Sequence, residues 1–241
     1  MTPHRVFIVG HEGTTGLRIH ERLSDRKDIE LLATADEDRK NVEAIKVVAK
    51  KADLVFLCLP DVASKEIMAA IGDFPCKVID TSTAFRTTAG WAYGFPELGE
   101  SYKTDIATKK HIANPGCHAS GMIVCIAPLV KAGLVPADYP FTITSLTGYS
   151  GGGKKMIGQY ESSPKDYFLY APRQYGLGQE HKHLPEVQHV CGLSEAPIFM
   201  PIVDDYYSGM EVTVGIHSRL CHKPVCIDKV QQTLEYFYKD S

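Results

Sequence analysis

The segment that most limits the fold lies near the start of the chain. Residues 5–9 (Arg-Val-Phe-Ile-Val) form a short β-rich apolar run that ends at Gly10-His11-Glu12-Gly13-Thr14-Thr15-Gly16. Residues 17–23 then carry apolar side chains at helical spacing. Strand, glycine turn and helix in that order are the context a dinucleotide site needs. Glycines let backbone approach a pyrophosphate, which then rests on the helix N-terminus. The spacing is G-x-x-G-x-x-G where the usual fingerprint is G-x-G-x-x-G, so Gly10, Gly13, Thr14, Thr15 and Gly16 are candidate cofactor contacts on context more than on pattern.

The alternation continues. Residues 30–35 read as a strand and 41–50 as a helix; residues 53–59 read as a strand ending at Pro60. A helix over 62–71 and a strand over 77–81 follow. Strands separated by helices predict an α/β, doubly wound parallel sheet of Rossmann type. Ligands of such sheets lie beyond the carboxyl ends of the strands, where Gly10, Leu59-Pro60 and Thr81-Ser82 fall, adding Pro60 and Ser82 to the cofactor candidates. After the second strand, Asp36, Glu37 and Asp38 offer carboxylates for a ribose 2′-hydroxyl, whereas Arg39 and Lys40 offer charge for a 2′-phosphate. Residue type leaves NAD and NADP both open. Arg86, beyond the 77–81 strand, presents a planar guanidinium suited to a substrate carboxylate or phosphate.

At Asn114-Pro115-Gly116-Cys117 the chain turns and enters the apolar run 122–130, which predicts a buried helix with Cys117 in or near its first turn. A sulfur placed there meets unpaired backbone N–H groups and the positive end of the helix dipole, which favour the thiolate and can hold a developing oxyanion. Cys117 is therefore a candidate nucleophile. The domain boundary is expected near Asn114, giving 1–114 for the nucleotide and 115–241 for the substrate.

In the second half, residues 141–146 read as a strand running into a glycine-rich loop, Thr147 to Lys155. Gly148 to Lys154 satisfies G-x-x-x-x-G-K, but Lys155 stands where a phosphate loop needs Ser or Thr for magnesium, so NTPase activity is set aside. Its two lysines can still approach an anion. His181-Lys182-His183-Leu184-Pro185-Glu186 opens a helix toward Val190. The histidines are too loosely grouped for a structural zinc site and fit acid/base work beside a thiolate better. Residues 197–203 and 210–217 are read as neighbouring strands around a tyrosine-rich turn and 225–238 as a helix, an α+β arrangement.

Composition excludes several partners. With 44% hydrophobic and 23% charged residues and a net charge of −3, the chain has no basic footprint for nucleic acid. No apolar run approaches a membrane span, and the start reads as a strand with no signal peptide. Seven scattered cysteines without a CxxC pair fit neither a disulfide framework nor a zinc ribbon and suggest a cytoplasmic setting.

Taken together, these motifs resemble the N-acetyl-gamma-glutamyl-phosphate reductase family in its short, type 2 form. The resemblance rests on the glycine turn, Ile79-Asp80-x-Ser82-Thr83-Ala84-x-Arg86, Tyr93-Gly94-Phe95-Pro96-Glu97-Leu98, Asn114-Pro115-Gly116-Cys117, residues 148–156 and His181-Lys182-His183-x-Pro185-Glu186, in the family's order. It implies a fold related to aspartate-semialdehyde dehydrogenase and NADPH-dependent reduction of N-acetylglutamyl 5-phosphate to the semialdehyde and phosphate, a step of arginine biosynthesis. It further implies a thioester on Cys117, His183 or His181 as acid/base, and NADP(H) held through Arg39 and Lys40. Substrate contacts are expected from Arg86, Asn114, Ser150, Gly151, Lys154, Lys155 and Glu186. A homo-oligomer, dimer or tetramer, is expected, with no resident metal.

Two departures stand out. Family members commonly continue the Cys motif with Tyr-Pro-Thr, whereas here His118-Ala119-Ser120 follows. Members also run on past residue 241 through further strands and a final helix, so the second domain is expected to be incomplete at its C-terminus. A related semialdehyde dehydrogenase, or an inactive shortened chain, remain the alternative readings.

Overall fold

The computed structural model describes residues 2–222 and 224–240. The chain divides into two compact units, one ending at Pro115 and the other starting at Gly116.

In the first unit, β1 (His4–Val9), α1 (Thr14–Ser24), β2 (Ile29–Leu32), α2 (Val42–Ala49), β3 (Leu54–Leu57), α3 (Asp61–Ile71), β4 (Lys77–Asp80), β5 (Ala92–Tyr93), α4 (Glu100–Thr108) and β6 (His111–Ala113) follow in sequence. The six strands form one parallel sheet in the order β2-β1-β3-β4-β6-β5. A parallel sheet is covered on both faces, which is why β1 buries four consecutive residues, Val6 to Val9, and does not alternate. Val9, Val55, Leu57 and Val78 meet Ile45 and Ala49 of α2 and Ile67 and Ile71 of α3 in one core. Each fully buried Val, Leu or Ile contributes about 1.5–3 kcal/mol.

The strand order reverses between β1 and β3, and the glycine turn sits at that point. Gly10 has φ +84°, and a Cβ there would stand 2.5 Å from the Cys58 carbonyl oxygen; a Cβ at Gly16 would stand 2.4 Å from that of Gly10. Both positions therefore require glycine.

Three features of this unit differ from the sequence reading. β2 ends at Leu32, ahead of the Asp36–Asp38 3₁₀ turn that carries the charged segment. β5 and β6 have only two and three residues, too few for a pattern to register. α4 buries no residue and so carries no apolar stripe.

In the second unit, α5 (Cys117–Lys131), β7 (Thr142–Gly148), α6 (Gly153–Tyr160), β8 (Arg173–Gln174), α7 (Leu184–Cys191), β9 (Ile198–Asp204), β10 (Met210–Gly215) and α8 (Ile227–Phe237) follow. Their sheet has the order β10-β7-β9-β8 and is mixed, β7 running parallel to β9 and antiparallel to β10. The two strands read as neighbours, β9 and β10, are thus separated by β7. The turn between them crosses the end of β7, where Tyr206 and Tyr207 carbonyls accept the Tyr149 and Ser150 N–H groups. Gly148 permits the crossing, since its Cβ would lie 2.7 Å from the Tyr206 carbonyl oxygen.

α5 buries Ala119, Met122, Ile123 and Ile126 completely and sets Gly121 directly against Val212 of β10. The glycine-rich stretch is not the loop expected: residues Tyr149–Gly152 form a 3₁₀ turn and α6 starts at Gly153, putting Lys154 and Lys155 in its first turn.

Candidate active site

In the first unit the glycine turn leads into α1 with Gly13 as its N-cap and no side-chain cap. The Gly13 N–H donates to the Gly10 carbonyl and Leu17 N–H to that of Gly13. The N–H groups of the first helical turn consequently have no intrahelical acceptor, as an anion site requires. Thr14 and Thr15 stand in that turn. Arg39 Nη1 lies 2.6 Å from Glu12 Oε1, tying the charged segment to the glycine turn; Lys40 is exposed beside it. Pro60 is the N-cap of α3.

Two candidates of this unit are buried. Ser82 is 7% exposed, and its hydroxyl donates to Asp80 Oδ2 at 2.6 Å while accepting the Ala84 N–H. It fastens the turn after β4. Arg86 is also buried: Nε donates to the Asn114 carbonyl at 2.9 Å and Nη2 to that of Thr81 at 3.1 Å. The guanidinium clamps the loop after β4 to the Asn114-Pro115 turn. The Asn114 side chain is exposed at that turn, its amide donating to the Pro115 carbonyl.

In the second unit Cys117 is the first residue of α5, exposed, with Gly116 as an extended N-cap. The first backbone bond of the helix runs from Ser120 N–H to the Gly116 carbonyl, and the Ser120 hydroxyl donates to the same oxygen. The N–H groups of Cys117, His118 and Ala119 precede that bond and have no acceptor within the helix. Burial distinguishes this thiol from others. It pushes Cys58 up to about 11 and Cys191 to about 12, and it raises Cys76 and Cys125 as well. Such buried thiols are poor nucleophiles.

Glu186, expected to contact substrate, lies at this turn. It is 2% exposed, and its Oε1 accepts the Gly116 N–H at 2.8 Å. The carboxylate holds the turn that presents Cys117.

Around this turn three imidazoles gather on one aromatic floor. His118, His181 and His183 have ring centroids 4.7–5.8 Å apart, and Phe199 lies 5.2 Å from His118 and 5.1 Å from His181. The Ser145 hydroxyl donates to the Glu211 carbonyl, so it can only accept from His118 Nδ1, 2.8 Å away. With its proton on Nδ1, neutral His118 offers Nε2 as an acceptor to the Tyr175 hydroxyl, also at 2.8 Å. Burial, and secondarily the neighbouring His181, pushes His118 down to about 4 and keeps it neutral. His181 Nδ1 accepts the His183 backbone N–H at 3.3 Å, which leaves its proton on Nε2 when neutral. Burial and the adjacent Lys182 charge lower its protonation as well. His181 lines a cavity of about 490 Å³ with Gly176, Gly178, Glu180 and Lys182, whereas His183 is 4% exposed.

Tyr175 and Ser145 went unnoticed in the sequence, and His118 was noted only as a departure from the family pattern. The one available signal was a serine at an inward position of β7, flanked by buried Ile143 and Thr147. Ser150, Gly151, Lys154 and Lys155 are gathered at the start of α6, but the structure shows no bond from them to the imidazole cluster. Among the described residues no three His, Cys, Asp or Glu side chains are grouped to hold a metal ion.

A Rossmann-type unit followed by a mixed-sheet unit that opens on an exposed cysteine defines the class of semialdehyde dehydrogenases. The description "Semialdehyde dehydrogenase, NAD binding domain" matches residues 5–105, and "Semialdehyde dehydrogenase, dimerisation domain" matches residues 117–241. Aspartate semialdehyde dehydrogenase II of Vibrio cholerae shares the fold with a TM-score of 0.71 at 18% identity, over 98% of this chain and 79% of that one. The enzyme of Candida albicans, solved with NADP, gives 0.62 at 14%, over 96% and 76%.

Sequence similarity is narrower. N-acetyl-gamma-glutamyl-phosphate reductase 2 of Pseudomonas putida is 44% identical over 97% of this chain and 74% of its own length. The N-acetyl-gamma-glutamyl-phosphate reductase of a Chelativorans species is 46% identical over 91% and 70%. The chain belongs to the N-acetyl-gamma-glutamyl-phosphate reductase family.

Proposed function

We propose that this protein reduces N-acetylglutamyl 5-phosphate with NADPH, releasing N-acetylglutamate 5-semialdehyde, NADP⁺ and phosphate. The observation that carries the reading is an exposed sulfur at the uncapped start of α5, steadied by Glu186 through Gly116 and followed directly by the buried, neutral imidazole of His118.

The Cys117 sulfur attacks the acyl carbon, the carbonyl oxygen gathers negative charge against the first-turn N–H groups, and phosphate leaves to give a thioester. The nicotinamide supplies the hydride that reduces this thioester. The tetrahedral oxyanion so formed, within reach of an N–H donor such as His181 Nε2–H, collapses to the aldehyde and expels the Cys117 sulfur as thiolate. His181 is the better-supported acid/base of the pair, since it lines the cavity and keeps its exchangeable proton on Nε2, while His183 is buried and orients it.

A nicotinamide nucleotide fits the first unit, because Gly10 and Gly16 leave no room for a Cβ and the N-terminus of α1 is uncapped. The contacts are Gly10, Gly13, Thr14, Thr15, Gly16 and Pro60. Arg39, held beside the turn by Glu12, and Lys40 support the 2′-phosphate of NADP. Lys154 and Lys155 put two positive charges at the positive end of α6, with Ser150 and Gly151 just before it, which suits a substrate phosphate or carboxylate. The protein acts as a cytoplasmic homo-oligomer.

The test is phosphate-dependent reduction of NADP⁺ with N-acetylglutamate 5-semialdehyde, run beside aspartate semialdehyde and beside NAD⁺. Turnover with the acetylated substrate and NADP⁺ supports the reading; a preference for aspartate semialdehyde overturns the substrate, and a preference for NAD⁺ the cofactor.

A further inference from the structure

The turns that follow β1, β3 and β4 lie side by side, because those strands are parallel neighbours and end on the same edge of the sheet. Main-chain groups register the strand ends. Cys58 N–H donates to the Val9 carbonyl, and Gly10 lies close against the Cys58 carbonyl. The Thr81 N–H and hydroxyl both donate to the Leu57 carbonyl at 3.0 Å. Past these bonds two of the turns are fastened to each other by side chains. Asp61, the first residue of α3, accepts the Thr83 N–H on Oδ1 at 3.0 Å and the Thr83 hydroxyl on Oδ2. Both residues are half-buried. An acidic residue in the first turn of a helix ordinarily serves the dipole of that helix. Here each carboxylate oxygen also reaches across to the turn after the next strand.

We propose that Asp61 and Thr83 are positioning residues, a clasp that holds the turns after β3 and β4 in the shape that receives the nicotinamide half of the cofactor. The inference deepens the cofactor reading and rests on it. That reading gives the pyrophosphate to the start of α1 and the 2′-phosphate to Arg39 and Lys40, which follow β2. The strand order β2-β1-β3-β4 then leaves the turns after β3 and β4 for the other half of the dinucleotide. Loops that must be ordered on binding weaken affinity, and a clasp that orders them beforehand removes that loss. Bonds to an ionised carboxylate are the stronger kind, which suits Asp61 to the task.

The test compares two ligands on the full chain. NADPH is titrated by fluorescence; adenosine 2′,5′-bisphosphate, which has the adenosine end without the nicotinamide, is titrated by calorimetry. Asp61→Ala raises the NADPH Kd by about tenfold, the order expected when charge-assisted bonds that pre-shape a loop are lost, and leaves the bisphosphate Kd within about twofold. Thr83→Val removes the hydroxyl and keeps the N–H, so it raises the NADPH Kd less. Thr83→Ser and Asp61→Asn retain bonding groups and stay near the wild type. Asp61→Ala combined with Thr83→Val binds NADPH as Asp61→Ala does, because both changes break one link. Unchanged NADPH affinity in Asp61→Ala and Thr83→Val overturns the proposal. So does equal weakening of both ligands, which marks a purely structural role, and so do additive effects in the double variant. Should Asp61→Ala fail to fold, the contrast between Thr83→Val and Thr83→Ser decides by the same split. If the wild type prefers NADH, the NADP reading falls while the same split between NADH and ADP upholds this inference; a wild type that binds neither dinucleotide overturns both.

Discussion

Because burial keeps His118 neutral in the folded state, the protein loses stability as acid protonates the unfolded chain. The imidazole is 3% exposed and is pushed down from 6.5 to about 4. Between those values the unfolded chain takes up a proton that the folded one refuses, so stability is intact above the unfolded value and declines as pH falls toward the folded value. Each decade of pH in that window costs about 1.4 kcal/mol, so lowering the pH from about 7.5 to about 5 removes about 2 kcal/mol through this residue alone. His118→Gln has no titrating ring and escapes that loss. Urea unfolding of both proteins, followed by far-ultraviolet circular dichroism, gives the stability difference at each pH. The wild-type stability relative to the variant should fall by about 2 kcal/mol across the interval. A difference that stays constant with pH would refute a buried neutral imidazole.

Two further perturbations address the halves separately. Gly16→Ala puts a Cβ 2.4 Å from the Gly10 carbonyl oxygen and 2.7 Å from His11 Cα. It should destabilise the first unit by about 1–3 kcal/mol in thermal unfolding and weaken NADPH binding in a fluorescence titration. Glu186→Ala leaves the buried Gly116 N–H without its acceptor and should cost about 1–3 kcal/mol, while Glu186→Gln, which keeps a carbonyl oxygen there, should recover most of it.

Much of the first unit was legible because its physics is local. Buried parallel strands such as β1 require continuous apolar runs, and the glycines at 10 and 16 announce a turn whose carbonyls leave no room for a Cβ. The short β5 and β6, and α4 with its solvated faces, carry no such signature. In the second unit the strand order was illegible, since β7 enters between β9 and β10 through pairing that no local pattern encodes. The site followed the same division. Cys117 and the histidine pair declare themselves by residue type beside Pro and Gly, whereas Tyr175 and Ser145 join the cluster only through the register of β7 and the segment leading from β8. Arg86 was read toward substrate because a planar guanidinium beyond a strand end suits an anion, and Glu186 through the family resemblance. Here both are buried, with Arg86 donating to the Asn114 and Thr81 carbonyls and Glu186 accepting the Gly116 N–H.

The account depends most on covalent chemistry at one sulfur, and trapping the acyl enzyme addresses it directly. The chain is mixed with N-acetylglutamyl 5-phosphate without NADPH, quenched in acid and mapped by peptide mass spectrometry. The N-acetylglutamyl group should appear on the peptide carrying Cys117 with release of phosphate, and should be absent from Cys117→Ser, which still binds NADPH. An adduct on another cysteine, or full reductase turnover by the Cys117→Ser variant, would contradict the account.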